Sequence, residues 1–176
     1  TVASAGVWAT GQQELLGLLS GEGRSAPAAI SILGTPAGAL DPAARRRLGL
    51  GYVPEERLGR GAVPGMSLLD NALLTGYEKD LSKHGLIDAA ALDGFAQRCI
   101  VGFNVKCRGP QAVADSLSGG NLQKFIVGRE ILQAPRLLVV AQPTWGVDVQ
   151  ACAFIRRTLI DLRNAGVAVL VVSDDL

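Results

Sequence analysis

Apolar and polar positions change their spacing several times along the chain, and each change marks an element. Residues 2–7 form a short apolar run that reads as the end of a buried strand. A glycine-containing loop follows, and residues 14–19 then read as a helix. Residues 29–33 are a second short apolar run, expected as a strand. Asp41-Pro42 is a helix entry with Pro at the first helical position, and residues 43–48 are the helix it opens. A strand beginning at Leu50 ends at Pro54. From there to Leu117 the pattern is helical with loops: residues 68–77 behind Ser67 as N-cap, residues 88–101, and a short piece at 113–117. Ala90, Ala91, Phe95, Cys99 and Ile100 give the second of these an apolar stripe suited to a core. Leu122, Phe125, Ile126, Arg129 and Leu132 recur at three- and four-residue spacing and predict another helix. Residues 137–140, Leu-Leu-Val-Val, suit a central parallel strand covered on both faces. A helix over 154–164, stopped by Gly166, and a buried strand over 167–172 complete the pattern. Strands near Val2, Ala29, Gly51, Leu137 and Val167 alternate with helices, which predicts an α/β fold around a mostly parallel sheet.

Composition narrows this picture. At 176 residues the chain is one domain with room for a subdomain. It is 48% hydrophobic, but it holds no apolar run of about 18 residues. No basic-then-apolar leader opens it. A net charge of +1 gives no reason to invoke nucleic acid. Cys99, Cys107 and Cys152 have no metal-ligand spacing and fit a reducing compartment. His84, in a polar loop without a ligand partner, reads as a surface residue, and Arg45, Arg46 and Arg47 as a solvated helix face rather than a phosphate site.

Two stretches carry candidate chemistry. Ser118-Gly119-Gly120-Asn121 stands directly before a helix. Backbone N–H groups at a helix start attract anions, and glycine lets a phosphate approach the backbone. An ordinary Ser N-cap after a glycine turn accounts for the same residues. The second stretch is Gly6-Val7-Trp8-Ala9-Thr10-Gly11-Gln12-Gln13, between strand and helix, with the Gly-x4-Gly spacing of a phosphate loop. Its side chains depart from that chemistry. Gln12 stands where Lys would place a charge on the phosphates, and Gln13 where Ser or Thr would hold Mg²⁺. A plain strand–turn–helix is the alternative reading.

Residues 116–124, Ser-Leu-Ser-Gly-Gly-Asn-Leu-Gln-Lys, closely resemble the signature motif of ATP-binding cassette (ABC) ATPases. The likeness continues in order along nearly the whole chain. Gly6 to Gln13 is similar to a degenerate Walker A loop, and Gly11-Gln12-Gln13-Glu14-Leu15 to the second cassette of sugar and nucleoside importers. Glu55 falls at the Q-loop position, and Ser67 to Asn71 resembles the family's helix start after it. Ala141 and Gln142 stand where Walker B has Asp and Glu, Asp148 at the D-loop Asp, Trp145 where Arg is frequent, and Asp174 where His contacts the γ-phosphate. The resemblance implies a P-loop NTPase (RecA-like) core over 1–57 and 118–176, with a helical insert over 58–117 that faces a membrane permease. The antiparallel sheet and adenine-stacking aromatic expected ahead of the loop are missing, so the chain is expected to be a piece of a longer protein.

For function, the resemblance implies a transporter ATP-binding domain, a second cassette with a degenerate site of its own. Ser118, Gly119, Gly120 and Asn121 would contact ATP held by a partner cassette, and Asp148 would contact that partner. No catalytic side chain is intact at Gln142, Asp174 or Glu55. Neither Ala141 nor Gln13 carries a Mg²⁺ ligand, so ATP and Mg²⁺ would be held mainly by the partner. The implied partners are that second cassette, the permease and, indirectly, a solute-binding protein, at the cytoplasmic face of the membrane. A working ATPase with an unusual site is the alternative, and an ABC protein outside transport is a third reading.

Overall fold

The computed structural model describes residues 2–4, 11–77, 81–83 and 85–174. The chain opens with β1 (Val2–Ser4), α1 (Gln12–Ser20), β2 (Ser31–Ile32), β3 (Thr35–Pro36), α2 (Pro42–Arg47) and β4 (Leu50–Val53). Next come α3 (Leu68–Gly76), β5 (Ser82–Lys83), β6 (Leu86–Ile87), α4 (Ala89–Gly102) and α5 (Gly119–Leu132). β7 (Leu137–Ala141), α6 (Val149–Asn164) and β8 (Ala168–Val172) follow. β1, β8, β7 and β4 lie side by side in that order, all parallel. The register sets Val53 opposite Val140, and Val140 opposite Val171.

β7 shows why an unbroken apolar run makes a central strand. Leu138 and Val140 enter a core shared with Leu122 and Phe125 of α5, Ile155 and Leu159 of α6, and Leu68, Phe95 and Cys99 of α3 and α4. Val139 and Ala141 point the other way, into a smaller cluster with Leu16 of α1, Ile32, Leu50 and Val172. Alternate side chains of one strand thus bind both layers to the sheet. Burial pushes the Cys99 thiol up to about 12, so it is an inert core group. α5 approaches Phe103 closely: a Cβ on Gly128 would lie 2.5 Å from its ring.

Several expectations are corrected. Residues 29–33 do not join the main sheet. Pro27–Ala29 is a 3-10 turn, and β2 pairs antiparallel with β3 in a separate two-stranded hairpin. Leu33 (φ 52°) and Gly34 (φ 84°) form its tight turn, with the two positive φ values that a hairpin of this hand requires. β5 and β6 form a second small hairpin within a stretch read as helix and loop. α6 starts at Val149 rather than at the expected 154, because Asp148 caps it. His84 lies outside the described residues.

The three arginines are not a solvated face. Arg45 is fully buried and donates to the carbonyls of Leu18, Leu19, Gly38 and Leu40, tying α2 to the end of α1. Arg46 donates to Glu130 Oε2 at 2.7 Å, and Glu130 is itself 0% exposed. Only Arg47 is exposed. Glu130 Oε1 also accepts from Arg129 Nε at 3.2 Å and Thr75 Oγ1 at 3.0 Å. Arg129 then donates to the carbonyls of Asn71 (3.0 Å) and Gly61 (2.9 Å). Burial alone would push the Glu130 carboxyl up, but the two guanidinium groups hold it below its ordinary value. This cluster joins α2, α3, α5 and the loop after β4.

Candidate functional site

α5 begins at a built cap. Ser118 is extended (φ −63°, ψ 152°), and its Oγ accepts from Asn121 N at 3.4 Å. Asn121 Nδ2 donates to the same oxygen at 2.9 Å, and Asn121 Oδ1 accepts from Lys106 N at 2.9 Å. Both ends of that amide therefore brace the cap. The next two residues lack side chains for a steric reason. A Cβ on Gly119 would sit 3.2 Å from Gly146 O, and one on Gly120 would sit 2.8 Å from Asp148 Oδ2 and 3.0 Å from Ala151 Cβ. Asp148 caps α6, with Oδ1 accepting from Ala151 N at 2.9 Å. Ser118, Gly119, Gly120 and Asn121, read from the sequence as one stretch, and Asp148, read as a separate D-loop position, lie side by side. The first turn of α5 carries no acidic residue, and its N–H groups give it a favourable field for an anion.

A cavity of about 290 Å³ lies at the start of α1, lined by Gly11, Gln12, Gln13, Glu14, Leu16, Glu55, Gln142 and Val172. Gly11 caps α1 in the left-handed region (φ 77°), with no side-chain cap. Gln12 Nε2 is buried and has no hydrogen-bond partner among the described residues. The charged residues lining this cavity, among those described, are Glu14 and Glu55, both carboxylates. Ala141 is fully buried at the end of β7 and offers only a methyl group. Gly6 lies outside the described residues, as does the loop from residue 5 to 10. Among the described residues no cluster of three or more His, Cys, Asp or Glu side chains is placed to hold a metal.

Gln142, which lines this cavity, is paired with Asp174. Gln142 has φ 46° and is 8% exposed, and its backbone N–H donates to Val172 O at 2.7 Å. Its Nε2 donates to Asp174 Oδ2 at 2.8 Å. Its Oε1 accepts from Asp174 N at 3.2 Å and Ser173 Oγ at 3.4 Å. The two side chains that stand apart in the sequence are spent on each other. A carboxylate at 142 would face the Asp174 carboxylate, whereas an amide donates to it.

Gln13 and Glu55 also border a second cavity, of about 450 Å³, which reaches Arg57, Gly119, Leu122 and Trp145. Arg57 Nη1 donates to Trp145 O at 2.5 Å, across 88 residues of chain. Sequence reading gave Arg57 no role, and no spacing signal links positions so far apart.

No family model matches the chain. Among solved structures, the dimeric structure of MJ0796, described as a bacterial ABC transporter cassette, has a TM-score of 0.81. The match is 20% identical and covers 98% of this chain and 74% of that one. A nucleotide-free ATP-binding cassette from an ABC transporter gives 0.75 at 17% identity, over 99% of this chain and 70% of that one. These likenesses show the fold. The nucleoside import ATP-binding protein NupA of Lactococcus lactis subsp. cremoris (strain MG1363) is 38% identical over 99% of this chain and 35% of its own length. The guanosine import ATP-binding protein NupO of Bacillus subtilis (strain 168) is 36% identical over 99% of this chain and 34% of its length. The fold is that of an ATP-binding cassette. The cassette spans roughly a third of the length of these relatives. The ribose import ATP-binding protein RbsA of Yersinia pestis aligns in the same way, 32% identical over 99% of this cassette and 34% of its own length.

Proposed function

We propose that this cassette completes an ATP site held by a companion cassette and hydrolyses ATP poorly or not at all in its own cavity. The observation that supports this most is the contrast between its two ends. The start of α5 is capped by Ser118, has no Cβ at Gly119 or Gly120, and is braced by Asn121 and Asp148. The cavity at α1 offers amides and carboxylates in their place. A Mg²⁺-bound triphosphate fits the first end and not the second. Bound on the companion, it would supply the bond to be cleaved. On this chain Ser118 Oγ and the N–H groups of Gly119 and Gly120 would hold its terminal phosphate, helped by the partial charge of the helix start.

Among the described residues that line the cavity at α1 there is no lysine, and Gln13 and Ala141 stand where Mg²⁺-binding side chains would, so developing charge there goes largely unneutralised. Even one lost donor of this kind costs on the order of 10²–10³ in rate. In this reading residues 1–57 and 118–176 are the nucleotide-facing core. Residues 58–117 are the helical subdomain, whose junction with Glu55 is where a permease would dock. The relatives' names point to nucleosides or sugars as the imported solute. In this reading a solute-binding protein serves the outer side and this cassette works at the cytoplasmic face.

The reading is tested by ATP-binding stoichiometry on the complete protein with its permease, with and without Mg²⁺. It expects one tight, Mg²⁺-dependent ATP per pair of cassettes. Two tight Mg²⁺-dependent sites per pair would overturn it.

A further inference from the structure

The anion-facing start of α5 is held on two sides, and one of them is a side chain from a distant loop. On one side, Gly120 lies against the Asp148 carboxylate. On the other, Gly119 lies against the Trp145–Gly146 turn, where its Cβ would meet Gly146 O at 3.2 Å. The Arg57 guanidinium fills the space left beside both backbones. Nη1 donates to Trp145 O. Nη2 would lie 3.6 Å from a Cβ on Gly119 and 3.1 Å from a Cβ on Gly146. Gly146 has φ 61°, which a side chain rarely adopts, so glycine there serves both the turn and the arginine.

Arg57 belongs to the loop after β4, two residues beyond Glu55, which borders the cavity at α1. The loop is anchored behind it: Arg57 O accepts from Ala62 N at 2.7 Å, and Gly61 O accepts from Arg129 Nη2 at 2.9 Å. The contacts thus run from the buried Arg129–Glu130 pair through the Glu55 loop to the first residue of α5, without passing through the sheet.

We infer that Arg57 is a positioning residue for the ATP site completed in trans: its guanidinium fixes Gly119 and the Trp145–Gly146 turn so that the N–H groups of α5 meet the companion's phosphate. The inference rests on the proposed function. Arginine suits the place because its planar fork spans a carbonyl and two glycine backbones at once. A lysine ammonium is a point charge that caps one carbonyl and leaves the gap open.

The test is steady-state ATPase of the complete protein with its permease, comparing Arg57→Met, Arg57→Lys and Ser118→Arg. For Arg57→Met the expectation is a fall in kcat of about tenfold or more, with KM for ATP within about twofold. The pattern is that of an interaction lost only in the transition state. Arg57→Lys should stay within about threefold of Arg57→Met, because charge without the fork does not position the helix. With one exposed hydrogen bond lost, the melting temperature should fall by no more than about 4 °C. An unchanged kcat in Arg57→Met overturns the inference. So does a higher KM at unchanged kcat, which would mark a direct phosphate contact, or full recovery by Arg57→Lys, which would mark charge alone. If these hold while Ser118→Arg abolishes turnover, the proposed function stands and only the role of Arg57 fails. If Ser118→Arg leaves turnover intact, the proposed function itself fails.

Discussion

Replacing Gln142 by Glu changes one atom group and reverses the sign of one hydrogen bond. In the native chain the Gln142 amide donates to the Asp174 carboxylate at 2.8 Å. In Gln142→Glu two carboxylate oxygens face each other across that distance. Asp174 is exposed but Gln142 is nearly buried, so the water-like limit is the least repulsion to expect, and two unit charges 2.8 Å apart then repel by about 1.5 kcal/mol. The lost hydrogen bond adds about 1 kcal/mol. The variant should be at least about 2.5 kcal/mol less stable than the native chain at pH 7, in urea denaturation. The defect should shrink towards pH 4, as the native fold of the variant takes up a proton that relieves the repulsion; a fold that binds more protons than its unfolded chain loses stability as pH rises. Asp174→Asn alone should cost about 0.5 kcal/mol, since the new amide can turn its oxygen towards Gln142. Combining Gln142→Glu with Asp174→Asn restores a donor–acceptor pair and should recover most of the loss, giving a coupling of about 2 kcal/mol in the double-mutant cycle. Additive single effects, or a Gln142→Glu protein as stable as the native one at both pH values, would refute the argument that the two residues compensate one another.

Other outcomes follow from the same structure. Glu130→Gln leaves Arg129 and Arg46 without their buried counter-charge and should cost about 3 kcal/mol at pH 7. Because the Glu130 carboxyl is held below its ordinary value, its contribution is fully present above the unfolded carboxyl range and is lost as pH falls below that range towards and through the lowered folded value. The acid side of the stability profile should therefore flatten in Glu130→Gln, as urea midpoints from pH 7 down to pH 3 would show. Leu33→Asn should raise the melting temperature by about 1–3 °C, because Leu33 is 45% exposed and held at φ 52°, a conformation asparagine tolerates better.

The elements that were legible from the chain are those whose local pattern and tertiary role agree. β7 is uninterrupted and apolar because both of its faces are covered, and Ser67 and Ser118 mark helix starts that they do cap. The run at 29–33 has the same apolar character as a sheet strand, and only the positive φ at Leu33 and Gly34 turns it into a hairpin. Three consecutive arginines advance about 100° each around a helix, so not all can face water once the helix packs, yet nothing local says that Arg45 is the one buried. At the candidate site, Ser118, Gly119 and Gly120 were readable as one stretch through the motif, whereas the packing of Asp148 against Gly120 was not. The Gln142–Asp174 pair was not: the partners are 32 residues apart, and each substitution read alone is only a loss. The Arg57–Trp145 contact spans 88 residues and has no local signature at all.

The central claim is that the start of α5 works on a nucleotide held elsewhere. Steady-state ATPase of the complete protein with its permease, with and without Ser118→Arg, tests it most directly. The substitution removes the cap and puts a long side chain where the phosphate would approach. Turnover should collapse by on the order of 10² or more, even though Ser118 lies outside the cavity at α1. Turnover equal to that of the native protein would contradict the account, since it would mean that the helix start is idle and that any hydrolysis proceeds without it.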